Sequence, residues 1–467
     1  MIIFALLVIR RRRSLATQLR YESGAVVRPP AIIPGEFHLF LSHNWEYAQD
    51  QMRIIKERLQ LMLPSARTFL DVDDLATGKG AEYVDVSQVT LVFCSQGYFG
   101  SANCMRELLR AVLTSKPIIT LLEPEVRRGG LTTDQILEQL READSQYESW
   151  GLAQEVRGWA AAEGLGAMPS ADELYAALFA AEAIEWNRVG AFQKVTMRLI
   201  AERLLPAAAS GTTYIPGELH RLRVALPPPQ DGRGYHLFCS EHNAGALELA
   251  QEMADALSVP LRVSSEASSM HECARVLVYL NGLTWTSGAR SVAFAAQLEQ
   301  AMQAGLRPLL VHETPGALGA GELRHACEFG SFFSTTPQAL LDAKLYDPIA
   351  IALKQAQPWR HVSLVMMAQE LAGHGAAGGE GDGLFGCATS VSATWARFGQ
   401  STKAGARFLW RSLAAVHSAG HRFRTTRTAT DIQLVDGEFS PGIAAARRQG
   451  LNSTSQMPLS SGTSFLG

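Results

Sequence analysis

The sequence predicts an α/β protein, a parallel sheet flanked by helices, with that unit occurring twice in one chain. Three observations carry this reading. From Phe37 onward, short apolar runs alternate with amphipathic stretches, the pattern imposed by a parallel sheet covered with helices. The pattern stops around Pro227-Pro228-Pro229, a semi-rigid polyproline stretch, and then starts again. The 467 residues, 47% hydrophobic and 19% charged, are enough chain for two such cores.

Phe37 to Leu41 reads as the first strand, ending in Ser42-His43-Asn44. Met52, Ile55, Leu59 and Met62 then recur at helical spacing, the stripe of a helix packed on a sheet. Thr68 to Val72 reads as a second strand running into Asp73 to Gly80, a loop whose glycines permit unusual backbone angles. Val89 to Cys94 is a third, buried strand. Ser101-Ala102-Asn103 offers an N-cap to a helix whose core stripe is Met105, Leu108, Leu109 and Val112. Pro117 to Leu122 is a fourth strand. A polar, alanine-rich insertion near 125–182, with helical stretches at Ile136 to Ala143 and Glu173 to Ala181, precedes a last strand at Ala183 to Trp186 and a last helix at Phe192 to Leu205.

The second unit repeats this script. Tyr235 to Asn243 echoes Phe37 to Asn44, Val276 to Tyr279 echoes Leu91 to Phe93, and Arg307 to Glu313 echoes Lys116 to Glu123. Tyr346 to Lys354 is matched to the closing helix. The expected organisation is a disordered extension over 1–35, a first domain over 36–205, a linker over 206–233, a degenerate second domain over 234–357 and a disordered tail over 358–467.

Composition excludes several function classes. A net charge of −3, from 42 basic and 45 acidic residues, provides no field that would recruit nucleic acid, and none is expected as a partner. The basic, aromatic-bearing stretch from Gly383 to Thr430 reads as disordered tail rather than a single-strand binder. Met1 to Ile9 is too short an apolar run to span a bilayer, which needs about 20 residues. Six cysteines without C-x-x-C spacing fit reduced thiols in a cytoplasmic protein, with no zinc site. Gly373 to Gly386 lacks the Lys-Ser/Thr ending and the preceding strand of a P-loop.

Leu41-Ser42-His43-Asn44, Phe69 to Leu75 followed by Gly78-Lys79, and Cys104-Met105-Arg106-Glu107-Leu108, in this order and joined by Val89 to Ser95 and Trp186, resemble the Toll/interleukin-1 receptor (TIR) domain family. The resemblance covers Glu36 to about Leu205 and, more weakly, Gly234 to about Lys354. It implies a flavodoxin-like parallel five-stranded sheet. It implies that Glu107 cleaves the nicotinamide-ribose bond of NAD+, which would be substrate and not cofactor. The loop Asp73 to Gly80 would gate the pocket and touch other TIR domains, the expected partners. Ser42, His43, Asn44, Trp45, Phe69, Asp73, Asp74, Gly78, Lys79 and Ser95 would line the site. The chain departs from the family pattern at Asn103, where an aromatic precedes the cysteine, and after Ser42, where an arginine is usual.

The chemistry suits a single carboxylate. Nicotinamide is already a cationic leaving group, so the bond breaks toward an oxocarbenium-like ribose without the second, protonating carboxyl of ordinary glycosidases. One well-placed group of this kind is worth about 3–4 kcal/mol. The competing readings are plainer. Glu107 can be a surface carboxylate in the first turn, held by the helix dipole; His43 can be a hydrogen-bonding residue at a strand end rather than a proton relay. Trp45 can stack on a base or cover the core edge, and Lys79 can meet phosphates or water. The acidic run Asp71, Asp73 and Asp74 reads as a solvated loop rather than a metal site. In the second copy Gln297, in Ala295 to Glu299, takes the Glu107 position, with Glu299 as the other possible counterpart. Three functions follow: an NAD+ hydrolase activated by TIR association, a non-catalytic TIR adaptor, or a nucleotide sensor.

Overall fold

The structure, a computed structural model, describes residues 17–70, 80–206, 212–229, 232–317 and 324–373. The first copy runs β1 (Arg20–Tyr21), β2 (Phe37–Ser42), α1 (Trp45–Met62), β3 (Thr68–Phe69), α2 (Gly80–Asp85), β4 (Ser87–Cys94), α3 (Ala102–Leu113), β5 (Ile118–Leu122), α4 (Thr133–Asp144), α5 (Leu152–Glu163), α6 (Ala171–Leu178), β6 (Ile184–Glu185), α7 (Gly190–Glu202) and β7 (Thr213–Tyr214). The second runs β8 (Tyr235–Phe238), α8 (Ala246–Leu257), β9 (Val263–Ser264), β10 (Cys273–Leu280), α9 (Ala289–Gln303), β11 (Arg307–Glu313), α10 (Phe332–Thr335), α11 (Gln338–Asp342), β12 (Ile351–Leu353) and α12 (Trp359–Ala372).

Two five-stranded sheets result, in the orders β3-β2-β4-β5-β6 and β9-β8-β10-β11-β12. Every pairing within them is parallel. Both have the flavodoxin-like order, so the fold is an α/β doubly wound sheet present twice. In the first sheet Leu39, Leu41, Leu91, Phe93 and Leu121 pack with α1 and α7. Val92, Cys94 and Leu122, alternating with them, face α3 and the insertion helices.

The duplication extends to single hydrogen bonds. His38 donates from Nε2 to the Pro30 carbonyl at 2.9 Å and accepts at Nδ1 from Arg67 N–H. His236 makes the same pair with Pro227 and Arg262. Each imidazole thereby ties the segment before its sheet to the edge strand. At the far end, buried Glu123 accepts from Arg188, and Glu313 accepts from Tyr279, Gln355 and Arg360.

Several expected boundaries are corrected. Residues 17–35 are ordered rather than disordered: β1 pairs antiparallel with β7, and Leu19 and Val27 are wholly buried in the first core. The span 206–233 is no simple linker, since it supplies β7, a 3-10 turn at Leu219–Arg221 and the buried Ile215, Glu218 and Leu226. The insertion holds a third helix, α5, between the two stretches expected. Tyr346 to Lys354 is not the closing helix; it contains the fifth strand, β12, and the closing helix is α12, beyond the boundary expected at 357. The pattern at Trp359 was obscured because α12 is apolar on several faces, being buried by both copies. Trp359 and Val362 join the core of the first copy, and Trp359 Nε1 donates to Thr196 Oγ1 of α7 at 3.0 Å. Leu364 and Met367 fill the second core. Lys354 Nζ, 3.3 Å from Glu185 Oε1, adds a part-buried ion pair across the same junction. The tail from 374 and the extension before 17 lie outside the described residues. Among the described residues, no helix is long and apolar enough to cross a membrane.

Candidate active site at the switch point of the first sheet

Strand order reverses between β2 and β4, and the crevice beyond their carboxyl ends is where open parallel sheets take ligands. Ser42 closes β2, and α3 follows β4 after a short turn. That turn is held by Asn44, whose Nδ2 donates to the Gly97 carbonyl at 3.1 Å. Gly97 has φ +81°, and a Cβ there would stand 3.1 Å from the Asn44 amide, so glycine suits both the backbone and the contact. Ser101 caps α3 by accepting from Cys104 N–H, and the Cys104 thiol reaches the His43 carbonyl at 3.4 Å.

With Met105, Leu108 and Leu109 seated in the core, Glu107 turns toward the end of β2. Ser42 Oγ donates to Glu107 Oε2 at 2.6 Å, and the Tyr98 hydroxyl lies 2.7 Å from Ser42 Oγ. A hydroxyl has one hydrogen; Ser42 gives its own to the carboxylate, so Tyr98 donates to Ser42, the nearer of its two acceptors, the Cys104 carbonyl lying at 3.4 Å. Burial first, then the Cys104 and Glu107 side chains, holds the Tyr98 phenol well above its ordinary pKa, which keeps it a donor. Glu107 is 8% exposed. It is therefore not a surface carboxylate, and the first turn of α3 carries no acidic residue.

The other residues expected at the site divide. His43 is buried beside Ser42 with Nδ1 3.1 Å from the Leu41 carbonyl. Asn44 accepts from Glu46 N–H as the N-cap of α1, so its side chain is engaged in local structure. Trp45 opens α1 at 57% exposure. Ser95, after β4, is fully buried, and no partner is found for its Oγ. Phe69 is no rim residue: it stacks on Tyr83 at 4.0 Å and on Phe40 at 5.3 Å within a buried aromatic cluster. Asp73, Asp74, Gly78 and Lys79 lie outside the described residues, as does the acidic run that includes them. Among the described residues no group of three or more His, Cys, Asp or Glu side chains is placed to hold a metal.

No family model and no curated protein matches the sequence. Among solved structures the chain is similar to the TIR domains in the structure of the activated Roq1 resistosome directly recognizing the pathogen effector XopQ, at 13% identity over 36% of this chain and 100% of that one, with a TM-score of 0.27. At that score the likeness adds nothing to the geometry above.

The second copy supplies an internal comparison. Ser240 Oγ donates to Gln297 Oε1 at 2.6 Å, so Gln297, and not Glu299, occupies the Glu107 position. The turn after β10 has no tyrosine to place on the serine. Thr284 Oγ1 instead donates to the Tyr279 carbonyl, and Asn281, where Ser95 stands in the first copy, has its amide on the Ala244 carbonyl. Sequence reasoning missed Tyr98, because an aromatic in a short turn has no spacing that distinguishes core from site. A groove of about 590 Å³ opens on the insertion, lined by Tyr147, Val156, Ala160 and Met168 among others. Asp144, Glu148 and Arg157 also line it, the last two paired with each other at 3.2 Å, and it includes none of Ser42, Tyr98 and Glu107.

Proposed function

We propose that the first copy is a TIR-type NAD+ hydrolase of the cytoplasm, with Glu107 as its catalytic carboxylate and activity raised by association with other TIR domains. The observation that carries this reading is the Tyr98–Ser42–Glu107 chain at the switch point, where a buried carboxylate is fixed by a serine hydroxyl at 2.6 Å. In the reaction the C1′–N bond breaks and its electron pair neutralises the departing nicotinamide. Water adds to C1′ and releases a proton, giving ADP-ribose. Glu107 supports the positive charge growing on the ribose, in a setting from which water is largely excluded. The Ser42 hydroxyl fixes the carboxylate before the substrate arrives, which removes reorganisation from the barrier.

The test is nicotinamide release by the full chain at rising protein concentration, beside Glu107→Ala. Release that grows more than linearly with concentration and vanishes in the variant supports the reading. No release at any concentration removes it and leaves the adaptor or sensor, in which Glu107 is a structural carboxylate. The burial of Glu107 is the observation favouring that second reading.

A further inference from the structure

The helix that bears Glu107 is gripped from outside the sheet. Arg106 and Arg110 lie four residues apart on α3, hence on one face, bracketing Glu107. Facing them, α5 of the insertion presents Glu155, Trp159 and Glu163, again at intervals of four. Arg106 Nε donates to Glu155 Oε1 at 2.6 Å. Arg110 donates from Nη1 and Nη2 to both oxygens of Glu163 at 3.1 and 2.6 Å, with its guanidinium 4.9 Å from the Trp159 ring centroid. The same guanidinium holds both oxygens of Asp85, the last residue of α2, at 2.7 and 2.8 Å. Two forks on one buried guanidinium fix orientation as well as distance.

We propose that the insertion is a clamp that sets the roll of α3, with Arg110 as a positioning residue joining α2, α3 and α5; its effect on turnover rests on the hydrolase reading. The geometry makes roll the sensitive coordinate. A carboxylate sits about 5–6 Å from a helix axis, so a roll of about 10° moves it about 1 Å. A displacement of that size between Glu107 and the reacting carbon is enough to lower kcat by up to about a hundred-fold. Uncharged replacements on α5 release the roll without touching Glu107, Ser42 or the sheet.

The experiment compares the full chain with the Glu155→Gln/Glu163→Gln double variant and with the charge exchange Arg106→Glu/Glu155→Arg. It reads backbone hydrogen exchange over 80–86 and 102–113, and kcat and KM for nicotinamide release. The clamp predicts exchange over those segments about ten-fold faster in the double variant. It also predicts kcat roughly ten- to a hundred-fold lower at nearly unchanged KM, with the charge exchange close to wild type on both. Unchanged exchange over 102–113 overturns the clamp, as does faster exchange with unchanged kcat. If the wild-type chain releases no nicotinamide, the hydrolase reading fails and the exchange data alone decide the clamp.

Discussion

At the switch point of the first sheet Ser42 donates to a carboxylate, and at the same point of the second Ser240 donates to an amide, both at 2.6 Å. The surrounding architecture is shared down to the histidine that ties each sheet to the segment before it. What differs is charge and its support. The first copy adds Tyr98 behind the serine, whereas the second turns Thr284 to the backbone. The fold therefore tolerates either group at this place. An amide makes the same bond to the serine at the same length, so under the hydrolase reading proposed above the carboxylate of the first copy is kept for its charge.

Four measurements would break or sharpen this comparison. The largest effect is expected at the junction. Trp359→Ala removes a side chain that α12 of the second copy seats in the first core, together with its bond to Thr196, and should cost about 3–5 kcal/mol. Denaturant unfolding should then resolve into two transitions where the wild type shows one; a small loss with one transition would mean the cores are independent. Next, Glu107→Gln reproduces the arrangement seen at Gln297. Nicotinamide release should fall about 10²–10³-fold while the melting temperature stays within a few degrees, and retained release would deny the carboxylate its role. A finer contrast comes from Ser42→Ala against Ser240→Ala. Bonds to charged groups are worth about 1.5–3 kcal/mol and neutral ones about 0.5–1.5, so the first variant should lose more stability in denaturant titrations; equal losses would mean the carboxylate strengthens this bond no more than the amide does.

The smallest effect is a pH dependence at the junction, where His220 meets His361 of α12 edge-on at 5.1 Å. Burial first, then Arg198, His361 and Arg221, pulls His220 down to about 4, and burial also lowers His361. Between about pH 6.5 and 4 the unfolded chain binds a proton that folded His220 refuses, so stability falls as pH drops through that window. Allowing for partial solvent screening, the loss is about 1–2 kcal/mol. Melting temperatures at pH 7 and 4.5 should differ less in His220→Gln than in wild type, and an equal shift would place the titrating group elsewhere.

Much of this was legible in the sequence because parallel sheets buried on both sides write near-continuous apolar runs. Leu39 to Leu41, Val89 to Cys94 and Leu309 to Val311 are such runs, and the Gln297 assignment followed from their repeat. The closing helix of the second copy was not legible. Its period is blurred where Trp359 and Val362 face one core and Leu364 and Met367 another. The strap at Leu19 and Val27 was missed because two short strands paired across most of a domain leave no local signal. Glu107 was legible as a residue but not as a burial state. A helical wheel gives its angle from the core stripe, not the serine that closes over it.

The shared helix also bears on how such a chain changes over time. Because α12 fills space in both cores, losing the second copy would open a hole in the first. A duplicate in that position can surrender its reactive group without becoming dispensable. Mutations at its switch point cost only a hydrogen bond, about 0.5–1.5 kcal/mol, while mutations that erase the packing of α12 are felt by its neighbour. Interlocking of this kind makes the second copy a permanent scaffold for the first, whatever group stands at its switch point.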